Sequence, residues 1–458
     1  MASFTLQEIL DATGGMLLAG KLGQRVSGIS TDSRTVKKGQ LFLAIKGDTF
    51  DGHDSLAAAA KGGASAFVVH RKDVCIPEGK AGILVEDTVK ALGHIARDHR
   101  QRFNIPIIAI TGSAGKTSTK ELIASVMRQK YAVLFNKGTE NNHIGVPKTL
   151  LKLTRRHQVA VIEMGTNHPG EIAWLAQNTL PTVAVFTNVG ASHLEGLGSL
   201  EGVFEEKLSL LKYLSRDGHA VVNADDPFWS RLLKKRLPQR VVSYGIRCKA
   251  DVMATDIAPA AAGISFKVDK KFLFAVKSPS LGAVQNALAA IICARIFGLS
   301  NPKVQRAVLR SKPAQGRQCL TKVSGITLID DTYNANPVSY KNAIATLKML
   351  KGRGRSVLIA ADMLELGVHS DALHREVGKA VAEAGIDALF TCGQGGALIA
   401  EGVKSKSSGT YVCSFSDQPS LVDALKIYLR RGDVVLFKGS RGMRMEKVFA
   451  DIKIFLRG

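Results

Sequence analysis

The 458-residue chain is predicted to be an α/β protein of three domains. Its length exceeds what one hydrophobic core usually supports, so two to four domains of roughly 100 to 200 residues are expected. Apolar runs alternate with helical stretches, which is typical of buried parallel sheets. Changes in this pattern divide the chain into segments 1–100, 101–312 and 313–458.

The first segment mixes short apolar strands with alanine-rich helices. Strands are predicted at 41–45, 66–69 and 82–85, and helices near 55–61 and 88–100. This mixture predicts a small α/β module.

The second and third segments repeat an alternation of strands and helices. Strands are predicted in the second segment at 105–110, 159–162, 183–186 and 220–222, and in the third at 327–329, 356–360, 388–391 and 434–437. The spacing in the third segment predicts a doubly wound, Rossmann-like domain. That segment has no G-x-G-x-x-G sequence, so no dinucleotide cofactor is implied.

The composition, with 45% hydrophobic and 22% charged residues, is that of a folded protein. The first residues do not resemble a signal peptide, and no run of about 18 uncharged apolar residues follows, so a cytoplasmic protein without a membrane span is predicted. Six cysteines occur without a C-x-x-C pair, which indicates neither a zinc site nor a disulfide framework.

The net charge of +23 is compatible with nucleic acid, an anionic membrane surface or a small polyanionic substrate. The basic residues occur in small groups without interleaved aromatic residues that could stack on bases. We therefore expect mostly solvated surface charge, with a minority facing anionic ligands, and no nucleic-acid partner.

A phosphate-binding loop is predicted between the strand at 105–110 and the helical run that begins near residue 120. Its residues are Gly112, Ser113, Ala114, Gly115, Lys116, Thr117 and Ser118. Glycines let backbone N–H groups approach phosphate, the lysine can contact phosphates, and Thr117 can reach Mg²⁺. The full G-x-x-x-x-G-K-[ST] motif requires glycine where this chain has Ile110, so the loop is a shortened variant.

Glu163 and His193 follow the next two predicted strands along this segment. Ligands of open α/β sheets gather at the carboxyl ends of the strands, where Lys116 also lies. Glu163 is therefore predicted to bind Mg²⁺, and His193 is a second candidate metal ligand. Taken alone, His193 is more often explained as a structural or exposed histidine.

These motifs resemble the Mur ligase family, which includes folylpolyglutamate synthases, and the resemblance covers essentially the whole chain. It is carried by T-G-S-A-G-K-T at 111–117, E-M-G-T at 163–166, N-x-G-x-x-H-L-E at 188–195 and the three-domain layout. The runs at 330–337, 364–367 with His374, and 438–446 are similar to members that add D-alanyl-D-alanine.

The resemblance implies an ATP-dependent ligase of peptidoglycan synthesis. Such a ligase joins D-alanyl-D-alanine to the carboxylate of UDP-N-acetylmuramoyl-tripeptide through an acyl phosphate. Asn286 and Arg317 would contact ATP, and Asp331 would hold its ribose. The uridine-nucleotide module would include Ser33, Arg34, Lys46, Gly47, Asp51 and His53.

For the dipeptide, Asn334 and Asn336 are candidates because amide side chains offer both donors and acceptors. A monomer acting on these small molecules is expected.

Lys207 matches the family lysine that CO₂ carboxylates, so that it helps to hold a second Mg²⁺. The alternative is a solvated lysine on a helix surface. In a helix, its neighbours three and four positions away would be Val203, Phe204, Leu210 and Leu211, which places Lys207 at or near the buried face. The residues alone leave both alternatives open.

Two departures from the family pattern bear on specificity. Gly282 stands where many members have a histidine four residues before the adenine-contacting asparagine. The D-N-P-R run of diaminopimelate-adding relatives is absent, and the corresponding stretch reads C-G-Q-G-G at 392–396. The remaining alternatives are another amide ligase of this family, acting on a different peptide or on folate, and a nucleic-acid-dependent NTPase.

Overall fold

A computed structural model describes residues 2–260 and 263–458 of the chain. It confirms the predicted three-domain α/β fold, with a separate main sheet in each domain. Within the described residues, no helix is long and apolar enough to cross a membrane.

The N-terminal domain is a small module around a five-stranded sheet. Its elements are β1 (Phe4–Thr5), α1 (Leu6–Thr13), β2 (Met16–Ala19), β3 (Arg25–Val26), β4 (Ile29–Ser30), β5 (Leu41–Leu43), α2 (Leu56–Lys61), β6 (Ala66–Val69), β7 (Ala81–Leu84) and α3 (Thr88–Gln101). The sheet order is β2-β7-β6-β5-β4, and β1 pairs with β3. The predicted strands and helices of this segment are confirmed.

The central domain contains a nine-stranded sheet in the order β16-β15-β14-β13-β12-β11-β8-β10-β9. The strands are β8 (Ile107–Thr111), β9 (Val133–Phe135), β10 (Val159–Glu163), β11 (Val183–Phe186), β12 (His219–Asn223), β13 (Arg240–Gly245), β14 (Val252–Ala260), β15 (Gly263–Val268) and β16 (Phe272–Val276). The helices are α4 (Lys116–Met127), α5 (Gly145–Leu150), α6 (Glu171–Thr179), α7 (Leu194–Leu197), α8 (Leu200–Leu208), α9 (Pro227–Leu232), α10 (Leu281–Ile296) and α11 (Asn301–Arg310).

The parallel part of this sheet is buried on both faces. Ile108 and Ile110 of β8 pack into the core on one side, whereas Ile107 and Ala109 pack into the core on the other. Burial of both faces explains the continuous apolar run, because no residue of the strand faces water. The last three strands depart from the predicted parallel arrangement, since β14, β15 and β16 pair antiparallel.

The C-terminal domain is a six-stranded sheet in the order β17-β18-β22-β19-β20-β21. Its elements are β17 (Cys319–Val323), β18 (Ile326–Asp331), α12 (Pro337–Leu350), β19 (Ser356–Ala361), α13 (Ser370–Ala384), β20 (Ala388–Cys392), α14 (Gln394–Lys404), β21 (Tyr411–Phe415), α15 (Gln418–Tyr428), β22 (Val434–Lys438) and α16 (Glu446–Phe455). The strands are parallel except for β17.

The central and C-terminal domains meet closely at the start of α12. A Cβ atom added to Gly190 would lie 2.2 Å from Cγ2 of Val338, so only glycine leaves room for the helix at this point. The meeting point lies beside the loop that follows β8, since Ser113 Oγ donates to the carbonyl of Gly190 at 3.0 Å.

Candidate functional site

The predicted phosphate-binding loop joins the end of β8 to the start of α4. Gly112 and Gly115 adopt φ angles of +150° and +83°. A Cβ atom on Gly112 would lie 1.8 Å from the Thr187 hydroxyl oxygen, and one on Gly115 would lie 3.0 Å from Asn286 Oδ1. Both conformation and space therefore require glycine at Gly112.

The first turn of α4 offers backbone N–H groups to an anion. Gly115 is the N-cap and provides no side-chain acceptor, so the donors of the first turn have no cap. The amides of Ser113 and Ala114 are engaged instead, because they donate to the carbonyl and side-chain oxygens of Asn188 at 2.9 and 2.8 Å. We therefore expect phosphate to contact the turn that begins at Lys116.

Lys116 folds back onto its own loop. Its ammonium group donates to the carbonyl of Gly112 at 2.6 Å. Desolvation lowers the pKa of Lys116, nearby Glu163 raises it, and Arg317 lowers it. The lysine is thus held beside both an acid and a second cation.

Glu163 is fixed at the end of β10 by a polar network. One carboxylate oxygen accepts hydrogen bonds from the Thr117 hydroxyl at 3.0 Å and from Asn141 Nδ2 at 2.8 Å. The other oxygen, Oε2, is buried, makes no hydrogen bond among the described residues and lies 3.8 Å from Lys120 Nζ. The Asn136 side chain accepts a hydrogen bond from the amide of Glu163 at 2.9 Å and donates one to the carbonyl of Glu163 at 3.0 Å.

The oxygen atoms around Glu163 suit Mg²⁺, which is usually coordinated partly by water and substrate, better than they suit a metal ion coordinated by protein side chains alone. No group of three or more His, Cys, Asp or Glu side chains is placed to hold a metal within the described residues. Mg²⁺, however, keeps several waters and usually takes one or two carboxylates together with substrate phosphates. The free oxygen of Glu163 and the hydroxyl of Thr117 are donors of this kind.

His193 lies between two domains. It has a left-handed backbone conformation (φ 55°) and immediately precedes α7. Its Nδ1 atom lies 2.6 Å from Oε2 of Glu365, which comes from the C-terminal domain. This contact lowers the pKa of Glu365.

Lys207 on α8 is 1% exposed, so the solvated alternative is wrong. Its ammonium group has no hydrogen-bond or ion-pair partner among the residues that the structure describes. Desolvation, reinforced by repulsion from Lys116, lowers the pKa of Lys207 to about 7. The adjacent Glu206 is committed elsewhere, because its carboxylate accepts the amides of Gly170 and Ile172 at the start of α6.

Two of the three residues predicted to contact ATP from outside the loop, Arg317 and Asn286, make hydrogen bonds to α4. Arg317 donates to the Thr117 hydroxyl at 3.0 Å, and its guanidinium lies 4.2 Å from the ring centre of Tyr333. Asn286 Oδ1 accepts the hydroxyl of Thr119 at 3.0 Å. Asp331 forms a buried ion pair with Lys438 at 2.8 Å.

The two candidate dipeptide residues, Asn334 and Asn336, differ in how many of their side-chain polar atoms already make hydrogen bonds within the protein. Asn336 caps α12 by accepting the amide of Ser339 at 2.8 Å, and its Nδ2 donates to the carbonyl of Ser113 at 3.3 Å. Asn334 is exposed, and its oxygen accepts the amides of Ala335 at 2.9 Å and Arg441 at 3.4 Å. Its amide nitrogen makes no hydrogen bond within the described chain.

One cavity of about 440 Å³ brings most of these side chains together between the central and C-terminal domains. Of the predicted site residues, those lining it are Ser113, Ala114, Gly115, Lys116, Thr117, Ser118, Glu163, His193, Asn286, Arg317, Asp331, Asn334 and Asn336. Gly112 and Lys207 are not among the lining residues.

The residues predicted for the uridine nucleotide do not line this cavity. Asp51 accepts both the amide and the ring Nδ1 of buried His53, at 2.9 and 2.5 Å, and His53 Nε2 accepts the amide of His70. Arg34 is exposed and pairs with Asp32 at 2.9 Å. Lys46 and Gly47 open the turn that follows β5, and Ser33 lies after β4.

Several residues of the site were not predicted, among them Asn141, Asn188 and Glu365. Asn188 stands inside the quoted run at 188–195 and could have been recognised there, as the first amide side chain after a buried strand. Asn141 and Glu365 lie in irregular segments far from Glu163 and His193 in sequence, and no local pattern indicates such pairings.

Together, a phosphate-binding loop, an acidic residue at the next strand end and an arginine supplied by another domain define a multidomain P-loop nucleotide-binding protein. Family models cover all three domains: Mur ligase family, catalytic domain at 25–100, Mur ligase middle domain at 110–294, and Mur ligase, glutamate ligase domain at 316–441.

Known proteins resemble the chain over its whole length. The UDP-N-acetylmuramoyl-tripeptide–D-alanyl-D-alanine ligase of Bacillus subtilis (strain 168) is 36% identical, covering 99% of both chains. A crystal structure of MurF from Acinetobacter baumannii matches with a TM-score of 0.91 at 31% identity, covering 99% of both chains. MurF ligase from Thermotoga maritima in complex with ADP matches with a TM-score of 0.84 at 28% identity, covering 94% of this chain and 98% of that one. The chain therefore belongs to the Mur ligase family.

Proposed function

We propose that the chain is an ATP-dependent ligase that joins D-alanyl-D-alanine to the carboxylate of UDP-N-acetylmuramoyl-tripeptide, releasing ADP and phosphate, in peptidoglycan precursor synthesis. The observation that carries the proposal is full-length similarity to ligases of that name, together with a cleft in which Arg317 and Glu163 share the Thr117 hydroxyl.

The first step activates the carboxylate. A carboxylate oxygen of the tripeptide attacks the γ-phosphorus of ATP, the bond to ADP breaks, and an acyl phosphate forms. Lys116 must exchange the Gly112 carbonyl for phosphate oxygens, and with Arg317 it offsets the negative charge that develops in the transition state. Mg²⁺, held by Thr117 and Glu163 with His193 as a further ligand, would supply Lewis-acid stabilisation.

The second step forms the amide. The dipeptide amine attacks the acyl carbon, inorganic phosphate leaves, and the amine gives up a proton. Because residues of the central and C-terminal domains line one cavity, docking of these domains orients both reactants and excludes water from the acyl phosphate.

Lys207 is proposed to carry a carbamate that contributes to a second Mg²⁺ site. Carbamate formation requires the neutral amine, and a pKa near 7 makes that form available at neutral pH. The carbamate would also replace an unpaired buried cation with an oxygen-bearing group that a hard cation prefers.

The three domains are proposed to divide the substrates. Residues 1–100 would bind the uridine nucleotide through Ser33, Arg34, Lys46, Gly47, Asp51 and His53, residues 101–312 would bind ATP, and residues 313–458 would contribute Arg317, Asp331 and the dipeptide contacts. A monomer acting in the cytoplasm, where ATP and nucleotide-linked precursors are available, is part of the same proposal.

Phosphate release by the purified protein tests the function. With ATP and Mg²⁺, we expect release to require both UDP-N-acetylmuramoyl-tripeptide and D-alanyl-D-alanine, with lysine and diaminopimelate tripeptides compared. Equal turnover when D-alanine replaces the dipeptide, or when folate replaces the nucleotide, would assign a different ligase activity. Lys116→Ala serves as the inactive control, which should still bind the uridine nucleotide.

A further inference from the structure

Glu365, a residue of the C-terminal domain, contacts the candidate metal ligand His193. It belongs to the segment between β19 and α13, and its Oε2 atom lies 2.6 Å from His193 Nδ1. A second contact joins the same pair of segments, since the amide of Glu195 donates to the carbonyl of Glu365 at 3.3 Å. The approach is close, because a Cβ atom added to Gly367 would lie 3.3 Å from Cα of Glu195.

The segment that carries Glu365 is held firmly within its own domain. The amide of Met363 donates to His374 Nε2 at 2.9 Å, and the amide of Leu364 donates to Ser440 Oγ at 2.9 Å. His374 is buried, and its Nδ1 faces the carbonyl of Ser370 at 2.7 Å. Glu365 is therefore presented to His193 by an anchored backbone.

The contact determines which ring nitrogen of His193 remains for a ligand. A metal-bound histidine usually engages a carboxylate or carbonyl with its other nitrogen, which fixes the ring and its tautomer. Here Nδ1 lies 2.6 Å from the carboxylate, although the pair does not meet hydrogen-bond geometry, and the residue lines the cavity. Nε2 is therefore the nitrogen left for Mg²⁺ when the ring engages Glu365.

A purely stabilising ion pair is the simpler explanation of this contact. Glu365 is half-exposed, however, and ion pairs of that kind contribute little to stability. His193 and Glu365 both have left-handed backbone conformations, at φ 55° and 64°. Such conformations are uncommon outside glycine and cluster at functional sites, although histidine adopts them more readily than most residues.

We propose that Glu365 is a positioning residue that orients His193 toward the metal, so that docking of the C-terminal domain completes the Mg²⁺ site in the central domain. The inference rests on the metal site of the proposed function. It adds that metal affinity depends on a residue from a different domain, which touches neither metal nor phosphate.

Metal affinity can be measured without turnover. Mn²⁺ is titrated into the full-length protein with the non-hydrolysable analogue AMPPCP, and free Mn²⁺ is followed by electron paramagnetic resonance. Glu365→Gln should weaken Mn²⁺ binding by roughly 10- to 100-fold. Glu195→Gln is the matched control, because Glu195 is exposed, lies two residues from His193 and forms no ion pair within the described chain. Thermal unfolding should show that both variants are folded.

A double-mutant comparison tests the route of the effect. If Glu365 acts through His193, Glu365→Gln should change Mn²⁺ affinity less than about 2-fold in a His193→Ala background. An equal loss in both backgrounds, or unchanged Mn²⁺ affinity in Glu365→Gln alone, would overturn the inference while leaving the metal site. Failure of the unmodified protein with AMPPCP to bind Mn²⁺ would remove the metal site and the inference together.

Discussion

At the scale of single residues, the clearest prediction concerns Lys207, because its buried amine is in contact with no partner of opposite charge among the described residues. With a pKa of about 7 in the folded state, the free amine loses its proton far below the usual lysine value of 10.5. Between these pH values the unfolded chain binds more protons than the folded one, so the free energy of unfolding should rise with pH.

Lys207→Met removes this effect. In CO₂-depleted buffer, the variant should unfold at a higher temperature than the unmodified protein at pH 6, and the difference should shrink by pH 9. The measurement is thermal unfolding at both pH values. A difference that is the same at both would mean that the folded-state pKa is not lowered.

Removal of the Lys207 amine should lower the turnover, although it should raise the stability at low pH. Lys207→Ala should lose on the order of 10²- to 10³-fold in turnover, which is the size expected for removal of an electrostatic group that acts in the transition state. A small carboxylate such as acetate should restore part of the turnover by occupying the vacated space. Near-normal turnover of Lys207→Ala in CO₂-depleted buffer would contradict the carbamate.

At the scale of elements, α12 links helix capping to substrate recognition. Asn336 caps the helix, so Asn336→Ala should lower the free energy of unfolding by about 1 kcal/mol, whereas Asn336→Asp retains the capping oxygen and should cost little. The amide nitrogen of Asn334 makes no hydrogen bond to any residue that the structure describes, and Asn334→Ala should therefore raise the KM for the dipeptide with little change in the KM for ATP. Steady-state kinetics and thermal unfolding separate the two roles, and an effect of Asn334→Ala on ATP alone would place it at the nucleotide.

The elements that the sequence predicts correctly are those with a strong local pattern. Strand β8 and the glycine loop behind it could be placed because burial on both faces leaves a continuous apolar run, and because phosphate-binding loops need glycine. Strand β15 was missed, although its alternation of buried and half-buried residues is the usual pattern of an antiparallel strand. The Glu365–His193 contact could not be predicted, because it depends on how two separately folded domains dock.

At the scale of the whole molecule, one group of positive charges lies away from the cleft. Exposed basic residues cluster in the turns that precede β10, β12 and β13, namely Arg155, Arg156, Arg216, Lys234, Lys235 and Arg236. These turns are at the amino ends of parallel strands, whereas the cleft is at the carboxyl ends, about 17 Å away along a five-residue strand. The cleft therefore does not account for this part of the net charge.

This separation predicts that nucleic acid does not drive the ATPase. Neither DNA nor RNA should stimulate phosphate release, and the triple charge reversal K234E/K235E/R236E should leave kcat and the KM for ATP within about 2-fold of the unmodified protein, because screening weakens interactions beyond a Debye length of about 10 Å. Stimulation that the triple variant abolishes would favour a nucleic-acid-dependent NTPase.

Because Gly190 and Val338 approach so closely, a larger side chain at Gly190 should keep the central and C-terminal domains apart. Gly190 does not have a positive φ angle, so alanine fits its backbone, but the added methyl group would collide with a stiff, β-branched side chain. Gly190→Ala should therefore leave uridine-nucleotide binding intact while preventing α12 from seating, which small-angle X-ray scattering would record as a larger radius of gyration with AMPPCP. Val338→Ala in the same chain should relieve the collision and restore compaction. The two substitutions would then block and restore domain closure, so that catalytic intermediates can be trapped before the domains close.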